Sequence, residues 1–248
     1  MSDHWESFPC TMGERAAFIS YDHGVRETLA HLPFPFLTCF RVKLDKPDDR
    51  GLPTDEEFKR LNAVEDELEA FIQPKDGLQV GRVTTDGHRH FYFYTALQET
   101  AVEALASRLG NVHGYNIAVR HESDAKREAY WNELFPSDDD WQVIQDIRVQ
   151  DALQKEGDSL TKPREIQHWA YFKSDGDRKR FVEAVQSHFD GVDCYLSPKS
   201  KDAPFTAKLR HVGLPDYRSM NPKTVLLSRA AREANGHYDG WEALVCRE

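Results

Sequence analysis

Gly157-Asp158-Ser159-Leu160-Thr161-Lys162-Pro163-Arg164-Glu165-Ile166-Gln167-His168-Trp169-Ala170-Tyr171-Phe172-Lys173-Ser174 is the stretch that decides the fold. A helix-length segment stops at Gly157, a residue free to take the positive φ that closes a helix. Pro163 then holds the chain extended. Ile166, His168, Ala170 and Phe172 alternate with Gln167, Trp169, Tyr171 and Lys173. That two-residue period, rich in aromatics, predicts a strand. Asp175 is the expected N-cap of a helix carrying Phe181, Val182, Val185 and Phe189. Helix, linker, strand and helix in this order open a small α+β domain.

Downstream, Gly191–Leu196 and Phe205–Val212 read as strands joined by the polar loop Ser197–Pro204. Asn221 with Pro222 behind it predicts a helix start. Val225, Leu226, Leu227, Ala230, Ala231 and Ala234 give that helix its apolar face, and Asn235-Gly236 ends it. Tyr238–Cys246 is the last strand. Upstream, a leading helix spans Trp141–Lys155.

The first half follows the same plan. Trp5–Tyr21 reads as a hairpin turning at Met12-Gly13-Glu14, and Val25–Leu32 as a short helix or irregular segment. Phe36–Leu44 alternates as a strand. Thr54 with Glu57 three residues on forms the capping-box signature of a helix through Leu61, Val64, Leu68 and Ile72. Two strands flank Asp86-Gly87, a strong hairpin signal. Thr100–Leu109 is a helix closed by Gly110, Tyr115–His121 a strand, and Ala125–Leu134 a further helix. From Phe36 the order is strand, helix, strand, strand, helix, strand, the ferredoxin-like plan. The expected fold is α+β, with two ferredoxin-like domains in tandem at 1–136 and 141–248. The break falls at Phe135-Pro136 and Ser137–Asp140, an acidic run that also suits a helix N-cap.

Composition sets limits on function. The chain has 248 residues, 40% apolar and 30% charged, as globular proteins do. No run has the length of a membrane span, and the polar N-terminus is not a signal peptide, so the expected location is the cytoplasm. Cys10, Cys39, Cys194 and Cys246 are scattered and expected to be reduced, with no metal site among them. Residues 1–140 hold 15 Lys+Arg against 26 Asp+Glu, a net of −11, while residues 141–248 are at +1. Such asymmetry marks two units with different surfaces. The acidic unit should repel nucleic acid, whose phosphates require a basic footprint.

Motifs for chemistry are sparse. No Gly-x-Ser-x-Gly, phosphate-cradling glycine loop or His-Glu-x-x-His is present. His88 and His90 leave one face of a strand, but a metal site needs a third ligand and none stands out. The aromatics at 90–94 and 168–172 sit on strands as base-stacking platforms do, yet the basic-Gly-aromatic pattern of RNA-recognition domains is missing, which favours packing. Large aromatics on both faces imply that the sheet's second face is also covered, by a partner domain, a second subunit or a ligand. Asp158, Arg164, Glu165, His168, Asp239 and Glu242 allow convergence in the second domain, with His168 and Asp239 as an acid–base pair. The competing reading has these groups pin strand ends and satisfy one another.

Two resemblances cover most of the chain. Gly157-Asp158, Pro163-Arg164-Glu165, His168-Trp169, Tyr171-Phe172 and Asn235–Trp241 resemble the family of regulator of ribonuclease E activity B. That resemblance implies a ferredoxin-like fold and a non-catalytic protein that binds and inhibits an endoribonuclease. It marks Asp158, Arg164, His168, Trp169, Tyr171, Tyr238, Asp239 and Trp241 as signature or partner-binding residues, with no catalytic or metal-binding set. Gly51-Leu52-Pro53, Glu65, Val80–Thr84, Asp86-Gly87, Phe91–Tyr94 and Leu134-Phe135-Pro136 resemble a family known only as a domain of unknown function. The expected partner is thus a protein, an endoribonuclease first. Nucleic acid, membrane, cofactor and metal are not expected, and a homodimer is admitted. The regulator family is strongly acidic, whereas here the acidity lies on the other domain. Two alternatives stand beside regulation: a scaffold module with another partner, and an enzyme using Asp158, His168 and Asp239.

Overall fold

Alternation at Phe36–Lys43 places Phe40 and Val42 on one face of a strand that ends up inside a sheet. The coordinates are a computed structural model describing residues 2, 4–197 and 202–247, so part of the loop expected at Ser197–Pro204 lies outside the described residues. The chain divides into two units, Met1–Phe135 and Pro136–Glu248. Both are α+β with antiparallel sheets.

The first unit contains β1 (Trp5–Met12), β2 (Arg15–Asp22), β3 (Phe36–Lys43), α1 (Asp55–Phe71), β4 (Gly77–Thr85), β5 (His88–Thr95), α2 (Glu99–His113) and β6 (Ile117–Ser123). Its sheet runs β1-β2-β4-β5-β3-β6. The last four strands keep the ferredoxin-like order, and the β1–β2 hairpin extends the β4 edge. Phe40, Val42, Phe91 and Phe93 meet Leu61, Val64 and Leu68 from α1 and Val102, Leu105 and Leu109 from α2. Each such side chain removed from water contributes about 1.5–3 kcal/mol. Asp86 and Gly87 both take positive φ, the tight turn their sequence asks for.

Several boundaries differ from expectation. Thr54 caps α1 by accepting from the Glu57 N–H, but the Glu57 carboxylate turns away and accepts from the Asp45 and Lys46 amides, so only half the box forms. α2 runs past Gly110 to Gly114, which carries the left-handed closing turn. Gly110 serves another purpose: a Cβ there would lie 2.8 Å from the Tyr115 carbonyl oxygen. The helix expected at Ala125–Leu134 is only a wide turn at Tyr130–Leu134. Arg127 has a positive φ, which interrupts any helix through it. Its buried guanidinium donates to the carbonyls of Leu29, Leu32 and Phe34, tying segment 124–135 to segment 22–34.

The second unit contains α3 (Asp138–Lys155), β7 (Arg164–Phe172), α4 (Asp175–Val185), β8 (Gly191–Leu196), β9 (Phe205–Gly213), α5 (Tyr217–Glu233) and β10 (Gly236–Ala243). The sheet order is β10-β7-β9-β8, again ferredoxin-like. Ala170, Phe172, Ala207 and Leu209 pack on Phe181 and Val185 of α4 and Leu227 and Ala231 of α5. Ser137 and Asp140 make a full capping box for α3, so the acidic run opens that helix. Gly157 has φ of +90° just past its end. Ser174, not Asp175, caps α4, because its hydroxyl reaches the Asp177 N–H. α5 starts five residues before the expected Asn221: Asp216 accepts from the Ser219 N–H, and Pro222 lies inside the helix.

Candidate functional site: two faces of the second sheet and a groove in the first

Strand parity divides the signature residues of the second unit. His168 is on the β7 face that packs on the helices; Trp169 and Tyr171 point the other way. β10 lies beside β7 with Trp241 opposite His168, and Tyr238 opposite Ala170. His168 is fully buried. Its Nδ1 is 2.8 Å from the Tyr238 hydroxyl and its Nε2 3.1 Å from His211 Nδ1. The two imidazoles stack at 5.1 Å. Burial, with the His211 imidazole and Lys223 nearby, pushes His168 down to about 3; burial and Lys223 push His211 down to about 4. Both are neutral at pH 7. Burial also holds the Tyr238 phenol well above its ordinary value.

Trp241 is 6% exposed and its Nε1 donates to Asp146 Oδ1 at 2.9 Å. Asp146, fully buried on α3, also accepts from Gln142 and Thr224. Burial raises its carboxyl pKa, and these three donors oppose the shift. Asp158 accepts from the Leu160 and Cys246 amides and pairs with Arg164 at 2.7 Å. Burial would raise the Asp158 pKa, but the Cys246 amide, Arg164 and the Leu160 amide together hold it low.

This bonding overturns the acid–base pairing of His168 with Asp239. Asp239 is exposed in the β10 bulge, 3.8 Å from His237, while His168 is consumed by Tyr238 and His211. Asp158 has a third, separate set of partners. The buried five, Asp158, Arg164, His168, Tyr238 and Trp241, therefore hold strands and α3 together. His211 and Asp146 belong to the same interior and were missed from sequence. His211 shares the parity of Phe205, Ala207 and Leu209, which was the available signal.

The remaining signature residues, Trp169, Tyr171 and Asp239, are on the outer side. Trp169 lies under the Lys208 ammonium, 5.2 Å from the ring centroid, and faces Lys208 across the strand pair. Tyr171 is opposite Thr206 and His237. Arg210 pairs with Asp193, and Tyr195 of the edge strand is exposed. Aromatic rings, cations and carboxylates are thus mixed on one accessible surface.

The first unit holds a groove of about 420 Å³ on the sheet face opposite α1 and α2, lined by Met12, Cys39, Arg41, Val83, His90, Tyr92, Ala118, Arg120 and Glu133 among others. Tyr92 donates to Glu133 at 2.8 Å, and Arg120 pairs with the same carboxylate. Burial pushes the Cys39 thiol up to about 12, which makes it a poor nucleophile. His88 and His90 do share a face, with ring centroids 6.2 Å apart. Among the described residues no group of three or more His, Cys, Asp or Glu is placed to hold a metal, and no helix is long and apolar enough to cross a membrane.

Among curated proteins none matches the chain. A solved structure titled "Crystal Structure of an Unknown Protein from Galdieria sulphuraria" aligns at 12% identity over 85% of this chain and 99% of that one, with a TM-score of 0.23. Residues 143–243 match the family model described as regulator of ribonuclease activity B. Residues 3–135 match the family of unknown function DUF695. That second match spans more than half of the sequence, so the chain belongs to the DUF695 family, with a regulator of ribonuclease activity B region following.

Proposed function

We propose that the chain is a non-catalytic regulator that acts by occupying a protein partner, an endoribonuclease of the RNase E type. The observation that carries this reading is the match of residues 143–243 to a ribonuclease-regulator family. The geometry supports it in a second way. The most buried ionisable side chains of that region, Asp146, Asp158, His168 and His211, have hydrogen-bond partners inside it, leaving Trp169, Tyr171 and Lys208 on the accessible face as binding groups. Tryptophan and tyrosine side chains such as Trp169 and Tyr171 are the usual anchors of protein interfaces. The net charge of −11 on residues 1–140 would speed approach to a basic partner surface and disfavour RNA. The protein would work inside the cell, in the compartment of its ribonuclease.

Binding of the purified full chain to the endoribonuclease of the source organism, across a salt series, tests this. A complex whose association rate falls as salt rises is expected. No complex at low salt would defeat the ribonuclease reading. Turnover of a small substrate by the isolated protein, abolished by His168→Ala, would defeat the non-catalytic reading as well.

A further inference from the structure

The groove of the first unit gathers positive charge in an acidic domain. Arg41 and Arg120 line it, with His90 opposite Arg41 on the neighbouring strand, and Glu133 is its one lining carboxylate among the described residues. His88 stands beside His90. Arg120 is already paired with Glu133 and Glu122. Arg41 makes no ion pair among the described residues. Its Nη2 faces His88 Nδ1 at 3.4 Å, but that nitrogen lies 2.7 Å from the Asp86 carbonyl oxygen. A carbonyl only accepts, so His88 Nδ1 carries the hydrogen, and Arg41 meets a donor there rather than an acceptor. Among the described residues no carboxylate lies within ion-pair distance of this guanidinium.

The floor between these groups is apolar. Val83, Tyr92 and the protonated Cys39 thiol are buried, and Met12 and Ala118 border them. A space of about 420 Å³ is within the range of small-ligand sites. We propose that this groove binds a small organic monoanion with a flat apolar body. Its carboxylate pairs with Arg41, and its body lies on the His90 side of that residue, on Val83 and the Tyr92 ring. Burial, Arg41, His88 and Arg120 together hold His90 down to about 4. The imidazole is therefore neutral at pH 7 and adds no competing acid chemistry. The site lies wholly in the first unit and stands independently of the ribonuclease reading.

Calorimetric titration of the full chain with 2-naphthoate, its neutral analogue 2-naphthamide and inorganic phosphate tests the proposal. Saturable binding of naphthoate is expected, at least tenfold tighter than naphthamide or phosphate. Arg41→Gln, at an exposed position and with its folding to be checked by circular dichroism, should weaken naphthoate at least tenfold and leave naphthamide unchanged. His90 should also titrate at a higher pH in the naphthoate complex, read by NMR, because an anion beside it stabilises the imidazolium. Absence of saturable naphthoate binding at millimolar concentration overturns the proposal. So does equal binding of acid and amide, phosphate binding as tight as naphthoate, or an Arg41→Gln variant that binds as the wild type does.

Discussion

In the first unit the sheet face away from α1 and α2 carries Phe8, Ile19, Tyr21 and Tyr94, and the unit's own chain covers part of it. Tyr130 donates to the Asp22 carbonyl, Leu134 sits over Gly81, and Arg127 ties the two covering segments together. In the second unit the equivalent face carries Trp169, Tyr171, Lys208 and Arg210, all of them partly accessible. Two sheets of the same strand order thus treat the second face differently. One internalises it except for a groove; the other keeps aromatic and charged side chains within reach of another molecule. A burial signal and a recognition signal look alike in sequence, because both are aromatics alternating along a strand.

The contrast can be broken most forcefully at Trp241. If its indole is an interior group hydrogen-bonded to Asp146, Trp241→Ala costs about 3–5 kcal/mol in a denaturant titration. A loss below about 1 kcal/mol would place the ring on the outer surface instead. The covering of the first sheet rests on Arg127, whose removal leaves several buried carbonyls without their donor. Arg127→Ala should cost about 2–3 kcal/mol and expose segment 124–135 to protease. Unchanged stability and digestion would mean that the segment holds itself in place.

Each ring of the buried imidazole pair gives a smaller effect with a definite sign. His168 and His211 have folded pKa values below the ordinary 6.5, so the unfolded chain binds the proton more readily. Their contribution is full above about pH 6.5 and is lost as pH falls toward their folded values. Each of the two rings should take roughly 2 kcal/mol off the unfolding free energy between pH 7.5 and 5, so His168→Phe should about halve that limb. An equal slope in the variant would assign the loss to other groups. Smallest of all should be Trp169→Ala, at about 1 kcal/mol or less, since a partly exposed ring gives up little buried area.

Much of this architecture was readable from the chain. Phe36–Lys43 and Ile166–Phe172 alternate cleanly because one side of each packs on helices. Asp86-Gly87 has little choice but a tight turn. Less readable were features set by tertiary contacts. α3 buries Gln142, Asp146 and Gln150 beside Val143, Ile144 and Leu153, so its buried face is half polar and does not stand out as an apolar stripe. Pro222 suggested a helix start, but the Asp216 cap, six residues earlier, already fixes α5. The separation of His168 from Asp239 depends on the bulge between Tyr238 and Gly240, which no local pattern announces. The groove at Arg41 draws on residues from five strands and the 124–135 segment, a convergence that only the folded sheet creates.

Cleavage of RNA by the source organism's endoribonuclease, measured with saturating wild-type protein and with a Trp169→Ala/Tyr171→Ala variant, tests the central claim most directly. The account predicts that the wild type slows cleavage, while the variant, folded and with nearly unchanged stability, does not. Cleavage unaffected by the wild type, or slowed equally by the variant, would contradict it.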